Sequence, residues 1–122
     1  MAERISSFRD LKTWQEAPHL AVMIYNITGV FPDSERFGLA NQMRRAAVSV
    51  ASNIAEGFSR QSTKEKLQFY HIAKGSLTEI ESQLDLAWRV EYIDGSTSKC
   101  VLEQIGHVGR LLTALIRKIP VR

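Results

Sequence analysis

One cysteine, three prolines and three histidines are spread over 122 residues, and each scarcity removes a class of protein. Cys100 alone cannot form an intramolecular disulfide, which fits a reducing compartment rather than a disulfide-stapled scaffold. No apolar run approaches the about 18 residues of a membrane span. The opening Met1-Ala2-Glu3-Arg4-Ile5-Ser6 lacks the apolar core of a signal peptide. These absences predict a cytoplasmic, single-domain chain over residues 1–122, with no membrane association. The histidines, His19, His71 and His107, include no pair four apart and no HExxH, so a zinc hydrolase has no support. A di-iron bundle needs two Glu-x-x-His motifs and two further glutamates. The one such spacing, Glu16 to His19, straddles Pro18 and has no second copy. There is no glycine-rich phosphate loop, since Gly106 and Gly109 fall inside a helical pattern. Cys100 has no motif joining it to a histidine base. Glu81 and Asp85 share a helix face but read as a solvated face rather than an acid/base pair. No active site emerges; the expectation is a protein without enzymatic activity, metal or cofactor.

What is present is an ordinary globular composition, 44% hydrophobic and 24% charged, able to build a core without covalent or metal staples. No alternating strand, repeat or low-complexity stretch is visible, whereas four segments carry helical periodicity. The first spans about 11–29, with Leu11, Trp14, Ala21, Val22, Ile24 and Tyr25 grouped on one side and Pro18 awkwardly placed. Phe31-Pro32-Asp33-Ser34 ends it. The second spans about 35–56 with an apolar stripe of Phe37, Ala40, Met43, Ala47, Val48, Ala51, Ile54 and Ala55, and Gly57 is expected to stop it in a left-handed conformation. Ser62-Thr63-Lys64-Glu65 has the form of a capping box and opens a third helix over about 63–92. Its stripe is Phe69, Ala73, Leu77, Ile80, Leu84, Ala87 and Trp88, and the interruption at Gly75 predicts close contact with another helix. After Asp94-Gly95-Ser96 a fourth helix is predicted over about 98–119, ended by Pro120. Four amphipathic helices with short connections predict an all-α, antiparallel up-down-up-down four-helix bundle.

The charge is mild overall, 16 basic against 13 acidic residues, but uneven. Between Arg36 and Lys66 six cations (Arg36, Arg44, Arg45, Arg60, Lys64, Lys66) face two anions (Glu56, Glu65), and local charge is what builds a field over one face. Gln42, Arg45, Ser49, Ser52 and Glu56 form one polar stripe of the second helix. Arg44 lies among alanines, where its stem can follow apolar surface while its head meets either an external anion or a bundle carboxylate such as Glu79. Arg60, Lys64 and Lys66 cluster at the connection between the second and third helices, placed either for sequence-independent phosphate contacts or for solubility. Phe58 and Phe69 flank them without interleaving, so no stacking platform for single strands is visible.

Several stretches, in this order, resemble a known family. They are Leu11-Lys12-Thr13-Trp14-Gln15-Glu16-Ala17, Phe31-Pro32 with Glu35-Arg36-Phe37-Gly38-Leu39, Gln42-Met43-Arg44-Arg45-Ala46-Ala47-Val48-Ser49 with Asn53-Ile54-Ala55-Glu56-Gly57, and Ala73-Lys74-Gly75-Ser76-Leu77-Thr78-Glu79. Over residues 8–118 the chain resembles the four-helix-bundle proteins encoded by intervening sequences of 23S ribosomal RNA genes, a family similar to the accessory variability protein of diversity-generating retroelements. The resemblance implies a homopentamer with a basic surface that engages nucleic acid, RNA or DNA, and no enzymatic activity. It singles out Arg44, Arg45, Asn53, Glu56, Gly57, Gly75, Ser76 and Glu79. Asn53, Glu56 and Glu79 are also candidate polar partners of the arginines within the bundle or between subunits. Arg45, Arg60, Lys64 and Lys66, with Arg44, are the expected phosphate contacts. The alternative is a homo-oligomeric scaffold that docks another protein, such as a polymerase.

Overall fold

The structure, a computed structural model, describes residues 5–120. Met1–Arg4, within the stretch weighed above as a leader, and residues 121–122 lie outside the described residues. A 3-10 turn at Phe8–Asp10 leads into α1 (Lys12–Thr28), and a second at Asp33–Glu35 precedes α2 (Leu39–Ser59). Then come α3 (Thr63–Arg89) and α4 (Gly95–Arg117), with no strand among the described residues. Among them, no helix is long and apolar enough to cross a membrane.

Helix boundaries follow local chemistry. Ser62 Oγ accepts the Glu65 N–H at 3.3 Å and starts α3, although Glu65 does not return the bond. Asp94 Oδ1 accepts the Thr97 N–H at 2.7 Å, so α4 begins at Gly95, a turn earlier than the periodicity indicates. Pro18 sits inside an unbroken α1, where its missing N–H leaves the Trp14 carbonyl without a helical donor. At the end of α3, Glu91 adopts φ 65°, and the N–H groups of Glu91 and Tyr92 bond back to Trp88 and Ala87. That is the Schellman arrangement with glutamate in the left-handed position.

Gly57 does not stop α2. No described glycine has a positive φ, and the helix continues to Ser59. Gly57 instead provides space: a β-carbon there would lie 2.5 Å from Tyr70 Cε1 and 2.7 Å from Tyr70 Cδ1. This notch lets the buried Tyr70 ring lie directly against the α2 backbone.

The contacts set the helix directions. Moving along α2 from Ser49 to Gly57 moves back along α3 from Ser76 to Tyr70. Thr13 bonds to the Leu111 carbonyl and Glu16 to Gln104, so α1 and α4 also run oppositely. Gly95 meets Trp88 and Gly109 meets Leu77, which does the same for α3 and α4. Sequential neighbours pack together and α1 packs on α4, while the diagonal pairs keep their Cα atoms more than 8 Å apart. The result is a square four-helix bundle.

Its core departs from the expected stripes in three of the four helices. In α1 the buried line is Thr13, Ala17, Leu20, Ile24 and Thr28, while Val22 and Tyr25 are 59% and 45% exposed. The two threonines bury because their hydroxyls donate to the carbonyls of Leu111 and Ile24, and a stripe with polar ends is hard to see by hydropathy. α2 begins at Leu39 rather than near residue 35, so Phe37 lies ahead of it and is 87% exposed; within the helix Ala46 and Val50 take the core positions and Val48 faces out. Alanines occupy several faces of this helix, so the apolar pattern alone does not choose between Val48 and Val50. In α3 the ring in the core is Tyr70 rather than Phe69, and Trp88 is half exposed.

Candidate nucleic-acid interface

Each candidate cation has a distinct environment. Lys66 does not point to solvent. Its Nζ donates to the carbonyl oxygens of Phe58 at 2.8 Å and Gly57 at 3.3 Å, and lies 5.4 Å from the centre of the Phe58 ring. It closes the C-terminal end of α2, where unpaired carbonyls gather partial negative charge. Burial holds its pKa below the ordinary lysine value. Arg60 is also engaged: its Nη2 bonds to Glu56 Oε2 at 3.1 Å and its guanidinium lies 4.8 Å over Phe69. Its Nε is buried without a partner. Glu56 is therefore the partner of Arg60. Cations and aromatics at this turn pair with one another within the chain.

Arg44 answers the question its alanine surroundings posed. Its Nε donates to Thr28 Oγ1 at 2.8 Å and an Nη to the Tyr25 carbonyl at 3.5 Å, with the guanidinium 4.8 Å over the Tyr25 ring. Among the described residues no carboxylate meets it, so Glu79 is not its partner. A guanidinium at the C-terminal end of α1 complements the helix dipole there while its charge stays without an ion pair.

Arg45, the next residue along α2, is exposed and makes no ion pair among the described residues. It stands on the ridge between two shallow grooves. One, of about 520 Å³, lies between α1 and α2 and is lined by Tyr25, Asn41, Arg44, Arg45, Val48 and Ser49. The other, of about 490 Å³, lies between α2 and α3, with Phe37, Gln42, Ser76 and Glu79 joining Asn41, Arg45 and Ser49. Lys64 is exposed on the first turn of α3, and Arg36 is exposed ahead of α2.

Of the remaining motif residues, Asn53 and Ser76 have structural work. Asn53 Nδ2 donates to the Ser49 carbonyl at 2.8 Å and to Ser49 Oγ at 3.0 Å, and Ser49 Oγ meets Ser76 Oγ at 2.9 Å. These form a polar seam between α2 and α3. Gly75 faces open space: apart from its own stretch of helix, no atom of the described residues lies within 4 Å of where its β-carbon would be, so the expected contact with another helix is not made among them.

Two features escaped the sequence reading. Phe37 and Tyr25, assigned there to the core, both reach the surface beside Arg45. Tyr92 donates to Glu35 Oε2 at 2.8 Å, while Glu35 Oε1 accepts the Leu39 N–H at 3.2 Å. These bonds, the tyrosine's first, hold the Glu35 carboxyl below its ordinary pKa, and the carboxylate holds the Tyr92 phenol above its own. On the opposite side, Glu16 Oε1 accepts from Gln104 at 3.0 Å and lies 3.7 Å from His107 Nε2. Among the described residues, no group of three or more His, Cys, Asp or Glu is placed to hold a metal ion.

Fold and site together define a four-helix-bundle protein whose candidate site is an open surface rather than a cleft. The chain belongs to the 23S rRNA-intervening sequence protein family, whose profile matches residues 9–114. Among solved structures it is similar to a protein of unknown function from the S23 ribosomal protein family of Bacteroides thetaiotaomicron VPI-5482. That crystal structure was determined at 1.70 Å resolution. The TM-score is 0.80 at 24% identity, covering 87% of this chain and 96% of that one. At that identity the likeness establishes the shared fold. No curated protein matches the sequence.

Proposed function

We propose that this protein is a cytoplasmic, non-catalytic, homo-oligomeric nucleic-acid-binding protein that grips RNA or DNA mainly through phosphates. One observation carries the reading. Among the described residues, the only ion pair made by a cation between Arg36 and Lys66 is Arg60–Glu56, so within that set Arg36, Arg44, Arg45 and Lys64 meet no carboxylate. Lys66 and Arg60 are anchored within the chain and leave the contact set, which centres on Arg45 and Lys64. Five copies of a chain at +3, the pentamer the family resemblance implies, multiply a mild charge into a strong collective field. The family is named for an intervening sequence of 23S rRNA, and the structural relative's description names a ribosomal protein family, which makes structured ribosomal RNA the first ligand to try.

The test is binding of a labelled ribosomal RNA hairpin and a duplex DNA across a salt series. Replacing Arg45 and Lys64 together with glutamine is expected to weaken binding and to lower the log–log salt slope by about 2. Unchanged affinity in that variant, or no binding by the parent at low salt, refutes the reading. A protein-docking scaffold is the second reading. It is favoured by Ile72 and Leu86 on α3 and Val90 just past its end, at 46%, 49% and 46% exposure. A pull-down that survives nuclease and high salt supports it.

A further inference from the structure

The surface around Arg45 has a composition that phosphate binding alone does not call for. Phe37 is 87% exposed, the most exposed large apolar side chain among the described residues. It is not part of an apolar patch. The groove it borders is lined by Asn41, Gln42, Arg45, Ser49 and Glu79. Across the Arg45 ridge, Tyr25 is 45% exposed, with the Arg44 guanidinium 4.8 Å from its ring centre. Asn41, Arg45 and Ser49 line both grooves, so the two rings border one continuous strip.

A protein-docking patch gathers apolar side chains into a contiguous area. Here single aromatic rings stand among guanidinium and carboxamide groups, with one carboxylate, Glu79, on the α3 side of the groove. Unpaired nucleotides require that combination: a flat apolar ring for the base face, a cation for the phosphate, and amides that both donate and accept toward base edges. A duplex keeps its base faces stacked internally and gains nothing from an isolated ring. We infer that the strip from Phe37 across Arg45 to Tyr25 takes unpaired nucleotides, with a base stacked on Phe37 and a neighbouring phosphate on Arg45. The inference rests on the nucleic-acid reading above and sharpens it from phosphate-bearing polymers in general to single strands and loops.

The experiment compares the full chain and its Phe37 variants on a short fluorescein-labelled oligouridylate and on a blunt RNA duplex of equal length, by anisotropy at fixed salt. Phe37→Ala and Phe37→Leu are expected to weaken single-strand binding about tenfold, the scale of one lost base stack. Duplex binding should stay within about twofold and the salt slope should be unchanged, since no charge is removed. Phe37→Trp should keep the affinity, with added indole emission that the single strand quenches. Because Phe37 is exposed, thermal melting of all three variants should match the parent. Full affinity in Phe37→Leu, or equal losses on both ligands, overturns the inference while leaving phosphate binding intact. A fall in oligomeric mass in Phe37→Ala also overturns it and assigns the ring to an interface between copies. A parent that binds neither ligand refutes the broader reading together with this one.

Discussion

Two glycines in neighbouring helices should respond to the same substitution with opposite signs. Gly57 and Gly75 both lie inside helices, where replacing glycine with alanine normally stabilises by about 1 kcal/mol. At Gly75 nothing lies within 4 Å of the new methyl, so Gly75→Ala should realise that gain. At Gly57 the methyl would meet the Tyr70 ring at 2.5 and 2.7 Å and Phe69 Cβ at 3.2 Å. Carbon atoms sit comfortably at about 3.5–4.0 Å, so the ring or the helix must withdraw by about 1 Å. Tyr70 is 1% exposed and cannot swing into solvent, which places the overpacking cost at the upper end of the usual range, about 3 kcal/mol. After the propensity gain, Gly57→Ala should lose about 2 kcal/mol, or about 8 °C in Tm for a domain of this size. Urea and thermal denaturation followed by circular dichroism give both numbers, and light scattering checks that oligomeric mass is unchanged. Equal stabilisation by the two substitutions would refute the notch at Gly57. A loss at Gly75 accompanied by reduced mass would show that its open surface is covered by another copy.

Lys66→Met should destabilise the chain by about 1–2 kcal/mol, because the Gly57 and Phe58 carbonyls lose a charged donor while the apolar stem is kept. A smaller urea midpoint with unchanged nucleic-acid affinity would support an anchoring role, and the reverse pattern would contradict it. The Glu35–Tyr92 bond makes stability depend on pH at both extremes. Glu35 is depressed from 4.5, so its contribution is complete above that value and is lost as pH falls through the lower folded value. Tyr92 is raised from 10.0, so its contribution is complete below that value and is lost as pH rises through the higher folded value. Tyr92→Phe should therefore flatten the alkaline limb of a urea-midpoint profile and leave a shallower acidic limb, which the Leu39 N–H bond to Glu35 sustains. An unaltered profile would exclude this pair as the source.

The four helices and their breaks were legible because caps and punctuation act locally: Ser62, Asp94 and the Phe31-Pro32 loop each mark a boundary where the structure has one. The faces were less legible. Thr13 and Thr28 extend the buried line of α1 by bonding to carbonyls, one of them on a different helix, and hydropathy assigns such positions to solvent. Phe37 and Tyr25 are the converse, large apolar rings that tertiary packing leaves outside. The basic segment was visible as a charge count, but the count does not show which cations are already bound. Lys66 reaches back to the end of α2 and Arg60 folds over Phe69, contacts that exist only once the α2–α3 turn has formed.

The clip between Glu35 and Tyr92 sits beside the tilted Phe31–Tyr92 ring pair, whose centroids are 5.1 Å apart. Together they fasten the α1–α2 connection to the α3–α4 connection at one end of the bundle. Partial opening should therefore be directional, with the helices parting first at the far end while the clipped end acts as the spine of a book. Native-state hydrogen exchange reads this directly, as amides around Ala87 and Ala40 outlasting those near Ser59 and Thr63.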